Sequence, residues 1–173
     1  MVNKELKNAL TKKMKINIDT ITRASKELIG NIIRTPTIRS QHLSSEINGE
    51  VFLKLENLQY TSSFKVRGAY TCITRLKEDQ KKVGVIAMSA GNHAQAVAWW
   101  AKKERVNATI VMPEHAPLFK VMKTKSLGAD VILRGRTLNE SQTYVSELAN
   151  DKKLTLIHPY DDYNVVIGQG TSD

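Results

Sequence analysis

Residues 83–133 read VGVIAMSAGNHAQAVAWWAKKERVNATIVMPEHAPLFKVMKTKSLGADVIL. Short apolar runs rich in β-branched residues alternate here with longer stretches whose apolar positions recur at helical spacing. The runs 83–88, 107–112 and 129–133 predict strands. The stretches 92–104 and 118–127 predict helices, the second closed by Gly128. Strands of this length joined through helices, not through tight turns, predict parallel pairing with right-handed crossovers. The fold class that follows is α/β: an open, twisted parallel sheet with helices on both faces.

The rhythm continues outward. Downstream, 138–149 predicts a helix and 154–157 a strand, and HPYDDY at 158–163 reads as a turn leading to Gly168-Gln169-Gly170. Upstream, 51–55 alternates apolar and polar and predicts a strand, 57–63 is turn-rich, and a helix runs from Phe64 to about Lys77. Ser40 can cap a helix that stops at Asn48-Gly49, and 37–39 is a short extended piece. Thr35-Pro36 breaks the chain, because the residue before proline avoids the helical region. Asp19 can cap a helix over 20–29 that Gly30 closes, and residues 1–14 can form a short amphipathic helix. Three divisions follow: 1–40 as an N-terminal helix and extended segment of an incomplete second domain, 41–153 as a small α/β domain, and 154–173 as the start of the remainder of that second domain.

Composition narrows the function classes. With 173 residues, 41% hydrophobic and 25% charged, the chain can bury a core. No stretch approaches the ~20 apolar residues of a membrane span, and the basic N-terminus lacks the apolar centre of a secretory signal. A single cysteine, Cys72, allows no internal disulfide and fits the reducing cytoplasm. The net charge of +9 raises nucleic acid as a partner, but the lysines are scattered and no aromatic-interleaved basic patch occurs. A lysine-rich, otherwise ordinary surface is the reading preferred.

Two junctions carry the chemistry. Lys65 falls in the first turn of a helix, after a strand and a polar turn. A helix N-terminus carries partial positive charge, so a cation there is disfavoured. A lysine held there out of water has a lowered pKa and is a better amine nucleophile, able to form a Schiff base with an aldehyde. The plain alternative is a solvated surface lysine. At the second junction, Ser89, Ala90 and Gly91 let main chain approach a ligand closely, and the helix opening at Asn92 offers free N–H groups to a carboxylate. Ser and Asn also cap helices, so this junction alone is ambiguous. His93 reads more readily as a structural histidine than as a base, and Phe64 as core. Asp161 and Asp162 lack partners at ligand spacing, so no metal is expected. Trp99 and Trp100 point about 100° apart on a helix, so one is core and the other is covered by something else or exposed.

The segment ENLQYTSSFKVRGA at 56–69 resembles the lysine motif of pyridoxal-phosphate enzymes of the tryptophan-synthase β fold type, and within them the threonine dehydratases (threonine ammonia-lyases). SAGNHAQAVA at 89–98 and HPYDDYNVVIGQGT at 158–171 follow in the same order and spacing, and the similarity runs from about residue 21 to 171. The resemblance implies pyridoxal 5'-phosphate as cofactor, Lys65 as its Schiff-base lysine and the proton acceptor, Phe64 against its ring, and Asn92 on its phenolic oxygen. It implies a substrate loop of Ser89, Ala90, Gly91, Asn92 and His93 for an amino acid. Related serine racemases carry a serine where this chain has Ala90, which favours dehydration. Tyr60, Ser62 and Ala96 stand where the family commonly has arginine, glycine and glycine. The chain ends at GQGTSD, before the family's phosphate-binding loop. Two expectations follow: a dehydratase, with a homo-oligomer or a complementing C-terminal chain as possible partner, or a non-catalytic remnant that binds cofactor weakly.

Overall fold

The computed structural model describes residues 16–172. The expected helix over 1–14 lies outside them. The first element is helix α1 (Ile18–Leu28). Its cap is Asn17, not Asp19. The Asn17 side chain accepts from the Thr20 amide at 3.0 Å, and the Thr20 hydroxyl accepts from the Asn17 amide at 3.1 Å. The two thereby satisfy two amides that an open helix end leaves free. Asp19 sits inside the first turn, where its charge complements the helix dipole.

Strand β1 (Thr37–Arg39), helix α2 (Gln41–Glu46) and strand β2 (Phe52–Lys54) come next. β1 and β2 pair antiparallel, Ile38 opposite Leu53, as a separate two-stranded ribbon. The strand predicted over 51–55, within the 41–153 expected as one α/β domain, therefore stands outside the parallel sheet. An alternating pattern marks a strand without naming its partner, and only the six residues of α2 cover the connection, too few for a parallel crossover.

Two short 3-10 turns, Glu56–Leu58 and Tyr60–Ser62, lead into helix α3 (Lys65–Thr74), followed by helix α4 (Glu78–Val83). α4 was not legible as a helix, and it ends where the strand over 83–88 was expected to begin. Gly84 separates the two at φ +107°, and a Cβ there would lie 2.7 Å from the Asn107 carbonyl oxygen, so the corner requires glycine. Then come β3 (Val85–Met88), α5 (Asn92–Lys103), β4 (Ala108–Met112), α6 (Leu118–Ser126), β5 (Asp130–Leu133), α7 (Leu138–Lys152), β6 (Thr155–Leu156) and α8 (Tyr163–Gln169).

The four-stranded sheet has the order β5–β4–β3–β6, and every pairing is parallel. Its central strands, β3 and β4, are buried on both faces. Val85 and Ala87 of β3, with Ala108, Ile110 and Met112 of β4, pack in one core with α3, α5 and Val121 of α6. Ile86 and Val111 point the other way, to Val145, Tyr144 and Leu148 of α7. The expected layer with helices on both faces is thus present. β6 lies beyond the expected boundary at 153/154, yet it pairs with β3, and the Ile157 amide donates to the Ile86 carbonyl at 2.8 Å. The sheet therefore takes in residues 154–157.

The segment read as a turn into Gly168-Gln169-Gly170 contains α8. Asp162 caps it, accepting from the Val165 amide at 3.0 Å. α8 lies against α3 with almost no side chain between them. A Cβ on Gly168 would lie 2.7 Å from the Arg67 carbonyl oxygen and 2.8 Å from the Cα of Gly68. No helix among the described residues is long and apolar enough to cross a membrane.

Candidate active site

In a parallel sheet the C-terminal ends of neighbouring strands share one edge, and ligands of open α/β folds bind there. β3 ends at Met88 and runs into Ser89–Gly91, and β6 beside it runs into 157–159. Lys65 reaches the same edge from α3. Its Nζ donates to the Pro159 carbonyl at 2.7 Å and lies 5.2 Å from the centre of the Phe64 ring, which is 42% exposed. Burial lowers the Lys65 pKa, so more of the amine is in the neutral, nucleophilic form than in an exposed lysine.

The approach to Lys65 is strained. Thr61 and Ser62 stand in consecutive left-handed conformations, φ +58° and +56°, which L side chains adopt at a cost of roughly 1–2 kcal/mol per residue. The turn is held from outside. Arg67 and Glu56 form a two-pronged pair, Nε to Oε2 at 2.9 Å and Nη2 to Oε1 at 2.8 Å, with their side chains 5% and 11% exposed. Arg67 Nη1 also donates to the Thr171 carbonyl at 2.8 Å. Burial alone raises the Glu56 pKa, but hydrogen bonds from Arg67 and Thr35 and the Arg67 charge outweigh it, and the carboxyl ends below its ordinary value. Tyr60 stacks on Trp99 with ring centres 5.2 Å apart, and the Lys103 ammonium lies 5.1 Å from the Trp99 ring. Trp100 is the core member of the tryptophan pair, and Trp99 is the one covered, by Tyr60.

At the second junction, the Ser89 hydroxyl accepts from the Gly91 amide at 3.1 Å and fixes the loop against its own main chain. Ser89, Ala90 and Gly91 are half-buried, and Asn92 is exposed. Gly91 brings no side chain to cap α5, and a Cβ built on it would meet nothing closer than 4.0 Å. The first turn of α5 is thus left without a side-chain cap, as a carboxylate site would require. His93 is different. It is buried, and its Nε2 lies 2.9 Å from the Ile157 carbonyl oxygen, on the main chain that leads to Pro159. Its imidazole is pushed down to about 4, chiefly by burial and further by the charges of Lys65 and His158, against the opposing effect of the Ile157 carbonyl. Histidine is therefore neutral here and cannot act as a cation toward a ligand at neutral pH.

The residues expected from sequence are thus brought to one edge of the sheet. Sequence reasoning missed the Pro159 and Ile157 carbonyls. Every residue carries such an acceptor, so no residue type marks them, although Pro159 lacks the amide that could tie it elsewhere. An aldehyde cofactor fits this edge at its reactive end: a half-buried amine of lowered pKa, bonded only to a carbonyl and flanked by an aromatic ring. Lys65, Phe64 and Asn92 are the residues that would hold it. A cleft of about 740 Å³, lined by Ser25, Arg34, Lys54, Arg67 and Thr171 among others, includes none of the three.

Residues 28–172 match the family model described as pyridoxal-phosphate dependent enzyme. The L-threonine dehydratase catabolic TdcB of Staphylococcus aureus strain USA300 is 51% identical over 157 residues, covering 90% of this chain and 45% of the relative. The chain therefore spans under half the length of the curated relatives it matches. Among solved structures, serine racemase from Dictyostelium discoideum superposes with a TM-score of 0.83 at 34% identity, covering 91% of this chain and 51% of that one. The processed form of threonine deaminase isoform 2 from Solanum lycopersicum gives 0.81 at 35% identity, covering 91% and 45%. Racemase and deaminase superpose equally well, so the fold alone does not separate the two reactions. By the family match over 28–172 and half-identity to a dehydratase across nine-tenths of its length, the chain belongs to the pyridoxal-phosphate-dependent enzymes.

Proposed function

We propose that this chain contributes the lysine-bearing half of a dehydratase of hydroxy amino acids, acting on L-threonine or L-serine. The observation that carries the reading is the half-buried Lys65 amine at the Pro159 carbonyl, on the edge that also presents Ser89–Asn92. When bound, pyridoxal 5'-phosphate supplies an electron sink for charge developing at the substrate α-carbon. The chain's own residues do the rest. Lys65 would hold the cofactor aldehyde covalently, and its neutral Nζ, when free, would take the α-proton. The Pro159 carbonyl then receives the resulting ammonium by a hydrogen bond. The amides at the start of α5 hold the substrate carboxylate, and Asn92 orients the ring. The β-hydroxyl departs with a proton as water, and water returns in the later hydrolysis, so threonine gives 2-oxobutanoate and ammonia with atoms balanced.

Ala90 supports dehydration over racemisation, because its methyl group has no proton to deliver to the α-carbon. The same reading places the protein in the cytoplasm, consistent with a lone buried thiol, Cys72, pushed up to about 12 by burial and the neighbouring Asp162. It also gives the exposed apolar ribbon of β1 and β2 a cover, in a second copy or a complementing C-terminal chain. The test is purified protein with excess cofactor and threonine, following 2-oxobutanoate and the visible absorbance of a lysine-bound aldehyde. Both should vanish in Lys65→Ala. Absorbance without turnover would favour the non-catalytic remnant, and turnover unaffected by Lys65→Ala would overturn the assignment of Lys65.

A further inference from the structure

We propose that His93 is a positioning residue for Lys65, acting through the main chain of Ile157–Pro159. This deepens the functional reading above and rests on its assignment of Lys65, but its geometry is separate. The segment that leaves β6 carries the carbonyl on which the Lys65 amine rests. Pro159 has no amide, so its carbonyl is the one hydrogen-bonding group of its main chain, and Lys65 takes it at 2.7 Å. His158 ties only its own turn, its Nδ1 accepting from the Asp161 amide at 2.7 Å and the Tyr160 amide at 3.3 Å. What holds the segment to the body of the protein is Ile157. Its amide is the last rung of the sheet, donating to Ile86 at 2.8 Å, and its carbonyl receives His93 Nε2 at 2.9 Å.

His93 is well suited to that task and to no contact with substrate. Its side chain is 3% exposed, on the second residue of α5, between the helix that presents the substrate loop and the strand that presents Pro159. A neutral imidazole has one N–H. Donation to Ile157 places it on Nε2 and leaves Nδ1 a bare lone pair, and that atom is buried with no partner. A buried acceptor without a partner costs free energy, and the Nε2 contact with the Ile157 carbonyl is the one polar bond the ring makes to offset it. Neutrality matters as well, since a charged ring would repel the Lys65 ammonium. His93 thus ties the loop that receives the substrate to the carbonyl that parks the lysine. Removing the tie frees the segment 158–159 to move away from Lys65, and the amine to move into water.

The experiment reads Lys65 with neither cofactor nor substrate, so its outcome is independent of whether the protein is a dehydratase. Trace labelling with acetic anhydride across a pH series, followed by peptide mass analysis, gives a titration midpoint for each lysine. The wild-type midpoint of Lys65 should lie below those of the exposed lysines. In His93→Leu it should move up to join them, while the other lysines stay put. His93→Gln, whose amide nitrogen falls near the place of Nε2, should keep the low midpoint. His93→Asn, whose nitrogen falls near Nδ1, should not, and it replaces the leucine variant if that one fails to fold. An unchanged midpoint in folded His93→Leu or His93→Asn, or equal shifts in the glutamine and asparagine variants, would overturn the proposal. A measurement without any variant also bears on it: the imidazole nitrogen shifts of the unaltered protein should report the neutral Nε2–H form at pH 7. The Nδ1–H form would overturn it.

Discussion

The four-stranded layer and the β1–β2 ribbon differ in what their connections bring with them. Each parallel strand is followed by a crossover that must traverse the length of the sheet, and the crossover is a helix that covers a face. Val85, Ile86, Ile110 and Val111 are accordingly sealed. The ribbon is joined by the short α2, whose own Leu43 and Ile47 stay exposed, and Ile38 and Phe52 are left facing water, Phe52 at 57%. A parallel layer thus makes its own core out of local sequence, whereas a two-stranded ribbon needs a surface from elsewhere. Lys65 stands at the seam between the two, in the helix that follows the strained turn leading out of β2.

The largest expected effect tests the seam itself. Arg67→Leu leaves the Glu56 carboxylate buried without its partner and should lower unfolding free energy by about 3–5 kcal/mol in urea titration. A loss under about 1 kcal/mol would mean the ribbon and the layer are not fastened there. Within the layer, Ile110→Ala should cost about 2–5 kcal/mol. Phe52→Ala on the ribbon is the contrast, and its expected cost is under about 0.5 kcal/mol in the monomer. Equal costs at the two sites would break the comparison, and a concentration-dependent cost at Phe52 would show a second copy covering the ribbon.

Acid should act on the layer side. His93 is held near 4 in the folded chain against an ordinary 6.5. A group whose pKa folding depresses stabilises the fold above its unfolded value, and that contribution is lost as pH falls from about 6.5 through about 4. The loss amounts to about 3 kcal/mol once the ring is charged in both states. The charges of Lys65 and His158 face the same ring and are already part of that depression. Stability measured from pH 7 to pH 4 should decline more gently in His93→Gln, and identical curves would place the acid sensitivity elsewhere. The smallest gain is expected in the turn. Ser62→Gly should stabilise by about 0.5–1 kcal/mol, since glycine adopts φ +56° without the penalty that serine carries, less its own entropy loss. A destabilised Ser62→Gly would mean that the serine side chain supports the turn by contacts worth more than the strain.

Pattern alone revealed the β3–β5 rhythm, because the period of apolar residues is a local property and the strands are covered by helices adjacent in sequence. It also revealed the lysine and asparagine junctions, because reactive side chains are residue types. Pattern was blind wherever a partner had to be chosen. The stretch 51–55 read as a strand but paired with β1 and not with β3, and nothing within five residues encodes that choice. Helix α8 was hidden because Asp161, Asp162, Gly168 and Gly170 read as turn residues. Asp162 is instead its cap, and Gly168 is the point where it touches α3. Asn17 displaced Asp19 as a cap by two residues, a competition between neighbours of similar chemistry. The sequence by itself determined the parallel layer and singled out Lys65 as the candidate amine. Tertiary structure decided that Lys65 rests on the Pro159 carbonyl and that His93 holds the strand behind it. Main-chain acceptors are the same at every residue, and only the folded chain selects which of them a side chain meets.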